Sequence, residues 1–143
     1  MKSLESLVKQ LIEYPTEEGW FEFKENWYDA TQIGEYISAL SNAAALSGKE
    51  YAYLVWGVKE GTRELVNTSF NFRKDVKGEP LEHFLARQIV PDTHFEFHEI
   101  TINKCRIVVL LIPAARQVPT SFNNSRYMRI GSSKVKLSKY PER

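Results

Sequence analysis

Leu4, Leu7, Val8, Leu11 and Ile12 recur at the spacing of one helical face, and Pro15 stops the run, so the chain opens with a predicted amphipathic helix. WFEFK at 20–24 then alternates, which places Phe21 and Phe23 on one face of a short strand and Trp20, Glu22 and Lys24 on the other. From Ala30 to Ser47, Ile33, Ile37, Leu40 and Ala44 return to helical spacing, with Thr31 as the expected cap and Gly48 where a helix end favours a left-handed residue. YAYLVWGV at 51–58 is almost wholly apolar and reads as a strand buried on both faces, followed by a turn at KEGT. EPLEHFLARQIV at 79–90 carries Leu81, Phe84, Leu85, Gln88 and Ile89 at helical spacing and predicts a third helix. In HFEFHEITIN the apolar positions change parity between Phe97 and Ile100, which predicts a bulge, and Asn103-Lys104 turns the chain into a buried strand, CRIVVLLIP. PTSFNN and RYMRIG form a last pair of short strands. The fold class expected from this order is α+β, with about three helices and a mixed, mostly antiparallel sheet.

At 143 residues the chain is the length of one domain, and no repeat, linker or low-complexity tract divides it, so residues 1–143 are read as a single unit. One cysteine, Cys105, excludes an internal disulfide and a cysteine-rich zinc cluster, and precedes a core strand as an inert buried thiol. No apolar run reaches the roughly 18 residues that span a bilayer, and the first fourteen residues carry acids where a signal peptide is apolar. The expectation is a cytoplasmic protein with no membrane partner. The seven glycines never fall into a Walker or Rossmann spacing, so nucleotide binding finds no support in these residues. His94 and His98 share a strand face but lack a third ligand nearby in the sequence.

The sharpest local pattern is EEGWFEFKEN. Glu22 and Lys24 project to one side of their strand, and a turn at Glu18-Gly19 brings Glu17 to the same side. Two carboxylates and an ammonium in one small volume suit metal-dependent phosphodiester cleavage, in which hard oxygen ligands hold a divalent ion and a cation stabilises charge on the phosphate. The same residues also fit a solvated strand face carrying an ordinary ion pair.

Taken in order, Glu17-x-x-x-x-Glu22-x-Lys24, a helix bearing Asn42 in ALSNAAALSGKE, the strand YAYLVWGVKEG and the closing RYMRIGSSKVKLS resemble the Schlafen-type AlbA-like domain over residues 13–138. The resemblance implies a nucleic-acid-binding domain, for RNA or DNA, of the kind that forms the N-terminal part of bacterial transcriptional regulators. In animal Schlafen proteins two such lobes form a cleft that cuts transfer and ribosomal RNA with a metal-bound trio of carboxylates. Carried over, the trio falls on Glu17, Glu22 and Glu60, which would hold Mg²⁺ or Mn²⁺ while Lys24 stabilises the phosphate. Glu60 stands where the family has Asp, keeping the charge and adding a methylene. The family's double glycine is replaced by Ser47-Gly48-Lys49-Glu50, and the animal Cys/His zinc site cannot form with one cysteine. Because that cleft needs two lobes, the resemblance also implies a homodimer.

The formal charge of +1 conceals a polarised chain: residues 1–103 hold 10 Lys and Arg against 17 Asp and Glu, whereas 104–143 hold 9 against 1. Arg126, Arg129, Lys134, Lys136 and Lys139 recur through the final strands beside Tyr127, Ser132 and Ser133, with Gly131 permitting a turn. These residues form a candidate phosphate track, and the alternative for them is a basic sheet edge that discourages strand pairing. The leading expectation is a nucleic-acid-binding domain, favouring RNA or single strands. The alternatives are a divalent-metal ribonuclease using Glu17, Glu22, Lys24 and Glu60, and a regulatory oligomerisation domain whose opposite charges meet across subunits.

Overall fold

The computed structural model describes residues 3–130 and 133–137. Helix α1 (Leu4–Ile12) starts at Ser3, whose side chain accepts a hydrogen bond from the Ser6 N–H at 3.1 Å, and buries Val8 and Leu11. Strand β1 (Phe21–Lys24) runs parallel to β2 (Tyr51–Trp56), a pairing that requires a crossover, and α2 (Ala30–Leu46) supplies it. After the small β3 (Asp75–Val76) and β4 (Glu79–Pro80) ribbon come α3 (Leu81–Ala86), β5 (Ile89–Val90), β6 (Glu96–Ile102) and β7 (Cys105–Pro113). The chain closes with β8 (Ser121–Phe122), β9 (Ser125–Ile130) and β10 (Ser133–Lys136).

Two four-stranded sheets result, ordered β1-β2-β7-β6 and β10-β9-β8-β5, and every pairing except β1 with β2 is antiparallel. Helix α2 packs against both sheets, which explains why it is buried nearly all round, from Ile33 through Ala44. Ile33, Ile37 and Leu40 are fully buried, each contributing about 1.5–3 kcal/mol of hydrophobic stabilisation. The helix approaches the second sheet closely: a Cβ on Gly34 would lie 2.1 Å from the Phe122 ring, so the helix is glycine where the aromatic crosses it. Polar groups fix the same interface. Ser38 Oγ donates to the Thr120 carbonyl at 2.8 Å, Asn42 Nδ2 donates to the Tyr127 carbonyl at 2.8 Å, and the Thr120 N–H donates to Asn42 Oδ1 at 2.8 Å. Asn42 is therefore a structural clamp that positions β9 over α2.

The α+β class, the three helices and the turn at Asn103-Lys104, both residues with positive φ, agree with the sequence reading. Four details differ. Asp29, not Thr31, caps α2, accepting from the Gln32 N–H at 3.0 Å. Helix α3 ends at Ala86, because Ile89 is required in the second sheet opposite Phe122 and Pro91 holds Val90 extended. Strand β6 has no bulge; its register to β7 is continuous from Glu96 to Ile102, and its two faces are both partly apolar, with Phe97 on one side and Ile102 on the other. Strand β10 adds a third strand to the predicted final pair. Among the described residues no helix is long and apolar enough to cross a membrane.

Candidate functional site

The parallel pairing of β1 with β2 aims Glu22 and Lys24 toward α2 and β9, while Phe21 and Phe23 enter the core. Across from them, β9 presents Arg129, whose side chain is fully buried. Its Nη2 lies 3.0 Å from Glu22 Oε1 and 3.4 Å from Glu17 Oε1, and its Nη1 donates to the Phe21 carbonyl at 3.4 Å. Arg129 Nε is the buried side-chain polar atom left without a partner among the described residues. Glu17, in the loop between α1 and β1, is 18% exposed, and Glu22 5%.

Gly57 closes β2 at φ 97°, where a Cβ would meet the Arg106 and Val66 carbonyl oxygens at 2.9 Å. Its N–H donates to the Lys24 carbonyl at 2.8 Å, which brings the following turn, and Glu60 on it, over the end of β1. Lys24 Nζ stands 3.4 Å from Glu60 Oε1 and lies over the rings of Trp27 at 4.9 Å and Tyr36 at 5.3 Å. Lys134, directly opposite Arg129 in the β9–β10 register, also lies over Tyr36, at 5.0 Å, and pairs with Glu35 at 2.8 Å. Tyr127 donates its hydroxyl to Glu35 at 3.4 Å. A continuous line of charges and rings thus runs from Glu17 through Arg129, Glu22, Lys24 and Tyr36 to Lys134.

Burial pushes the Glu22 carboxyl up from 4.5 to about 7; Arg129 opposes the shift, and Glu17 and Glu60 add to it. Burial works against the Lys24 ammonium, but Tyr36, Glu22 and Glu60 outweigh it and hold Lys24 above the ordinary lysine value.

The predicted site residues are thereby sorted. Glu17 and Glu22 meet at Arg129, and Lys24 meets Glu60. Arg129 does not lie on a solvent-facing phosphate track: strand alternation and the cross-strand register put Tyr127, Arg129, Lys134 and Lys136 on the α2 face, and Arg126 and Ser133 on the opposite face. Arg126, Ser133 and Lys136 are exposed. Ser132, Gly131 and Lys139 lie outside the described residues. Opposite charges meet within the chain, since Arg129 pairs with Glu17 and Glu22, Lys134 with Glu35, and Arg106 with Glu99 at 3.1 Å. Glu96 sits 2.9 Å from His98 and 3.9 Å from His94. Glu35, Trp27 and Tyr36 were absent from the sequence-derived site; their signal is confined to polar and aromatic residues on the first turns of α2 and the loop before it.

A divalent ion on Glu17, Glu22 and Glu60 does not fit this arrangement. Among the described residues no three His, Cys, Asp or Glu side chains are placed to hold a metal ion, and each of the three acids already faces a cation of the protein itself.

The fold and the motif set define a member of a known class. The family described as "Schlafen, AlbA_2" matches residues 17–138, and the chain belongs to that family. Among solved structures, it is similar to the DIP2311 protein from Corynebacterium diphtheriae, with a TM-score of 0.59 and 12% identity, covering 92% of this chain and 26% of that one. It is also similar to the N-terminal domain of a RecG-related protein from Nitrosomonas europaea, named for an ATP-dependent DNA helicase, with a TM-score of 0.55 and 18% identity, covering 93% of this chain and 92% of that domain. At these identities the likeness is one of fold. The chain thus spans about a quarter of the first protein's length and nearly all of the second. No curated protein matches the sequence.

Proposed function

We propose that this domain binds nucleic acid, RNA or DNA, through the β9–β10 ribbon and the aromatic-lined cations beside it. The observation that carries the reading is the composition and register of that ribbon: β9 and β10 hold no acid, form antiparallel strands at the open edge of the second sheet and keep Arg126 and Lys136 exposed, while Arg129 is turned inward. A two-stranded ribbon of this kind meets a nucleic-acid backbone with cations at fixed spacing, which supplies affinity independent of base sequence. Lys134 and Lys24 flank the buried Tyr36, and Tyr28, next to Trp27 in the chain and 38% exposed, offers ring surface for unpaired bases. Membership of the Schlafen AlbA_2 family and the likeness to a domain of a DNA-helicase-related protein support the same class of partner.

Within one molecule Arg129 pairs with Glu17 and Glu22, and Lys134 with Glu35. The hydrolytic alternative would need three ionised acids open to a metal, and Arg129 and Lys24 hold them. Titration of isotope-labelled protein with a single-stranded RNA oligonucleotide tests the binding reading. Amide shifts concentrated in residues 24–36 and 125–137 are expected; shifts centred on β6, or none at low salt, contradict it.

A further inference from the structure

We infer that Arg129 is the resident cation of the carboxylate cluster, standing where a divalent ion would otherwise sit, so that this chain keeps Glu17 and Glu22 closed to metal and that substituting Arg129 uncovers a latent Mn²⁺ or Mg²⁺ site. A single guanidinium nitrogen, Nη2, is shared between Glu17 Oε1 and Glu22 Oε1 at 3.4 and 3.0 Å, the position from which an ion would ligate both oxygens. A second cation cannot join it there, since two like charges at that separation repel strongly in a site shut off from water. Nor can the guanidinium step aside easily. Its side chain is fully buried, its Nη1 is tied to the Phe21 carbonyl, and its strand is pinned to α2 by Asn42 through the Tyr127 carbonyl.

The unpartnered Arg129 Nε carries the same message. Burying that donor without an acceptor costs stability, and the contacts of Nη2 with the two adjacent carboxylates offset it. Glu60, the third acid of the expected trio, is turned to Lys24 instead, 3.4 Å from its Nζ, and stays 54% exposed. The cluster is therefore closed by an arginine on its inner side and a lysine on its outer side.

The test needs no nucleic acid, so its failure is distinct from failure of the binding proposal. Wild type, R129Q and R129K are titrated with Mn²⁺ and followed by paramagnetic broadening of backbone amides and by thermal melting with and without EDTA. R129Q is expected to show saturable broadening confined to residues 17–24 and to bind Mn²⁺ at least about tenfold tighter than wild type, with a melting temperature that Mn²⁺ raises and EDTA lowers. R129K, which keeps a cation, is expected to resemble wild type. Saturable broadening at residues 17–24 in wild type, with no gain in R129Q, overturns the inference. Should R129Q not fold alone, recovery of its fold by Mn²⁺ supports the inference, and failure of Mn²⁺ to recover it counts against it.

Discussion

Arg129 on β9 and Glu22 on β1 form a buried ion pair 3.0 Å long, joining the first strand of one sheet to the second sheet across the end of α2. The pair ties together segments 107 residues apart in sequence, as the two residue numbers show.

Removing one partner of such a pair strands the other charge in the interior. R129M is expected to lose up to about 3–5 kcal/mol of unfolding free energy in urea titrations run well above the raised Glu22 value of about 7, and less at acidic pH, where Glu22 is neutral. R129M combined with E22M is expected to recover most of that loss, because two apolar chains of similar volume replace both charges. A loss under about 1 kcal/mol in R129M would mean that the pair is solvated, contrary to its geometry.

The Glu22 carboxyl is raised from 4.5 to about 7, so the folded state binds its proton more tightly than the unfolded state does. The stability linked to that proton is complete below 4.5 and is lost as pH rises through about 7. Wild type measured against E22Q, whose amide does not titrate, is expected to lose relative stability over this window. A difference that stays flat across it contradicts the burial of Glu22.

Asn42 makes its bonds to Thr120 and Tyr127 with backbone groups that have little access to water. N42A orphans these groups and is expected to cost about 2 kcal/mol or more, with faster hydrogen exchange at Thr120 and along β9 than in β2 and β7. Uniform loosening of both sheets would show that Asn42 does not act as a local clamp.

How far the sequence revealed this arrangement depended on whether a segment obeyed one period. Helix α2 was legible because its apolar positions and Gly48 agree, and the β6–β7 hairpin because Asn103 and Lys104 both take the left-handed conformation that its turn needs. Helix α3 was overextended because Ile89 satisfies the helical period while its burial is spent against Phe122. Strand β9 misled most. Met128 and Ile130 are the apolar members of its alternation and suggest an outward Tyr127 and Arg129, yet Ile130 is 52% exposed and Arg129 is buried. Only the partners, Glu22 and Glu17 from a distant segment, make that orientation favourable, and alternation within one strand carries no information about them. Glu17 and Glu22 do converge, but the cation that closes them comes from a strand whose basic residues read as a solvent-facing track.

The decisive experiment is single-strand RNA binding measured by fluorescence anisotropy in EDTA over a series of salt concentrations. Wild type is expected to bind without metal, with a log affinity that falls linearly with log salt. K134E combined with K136E is expected to bind more weakly and with a shallower slope, by about 0.7 for each phosphate that the variant no longer neutralises. Binding that requires a divalent ion, or that is identical in wild type and the double variant, would contradict nucleic-acid recognition through the β9–β10 ribbon.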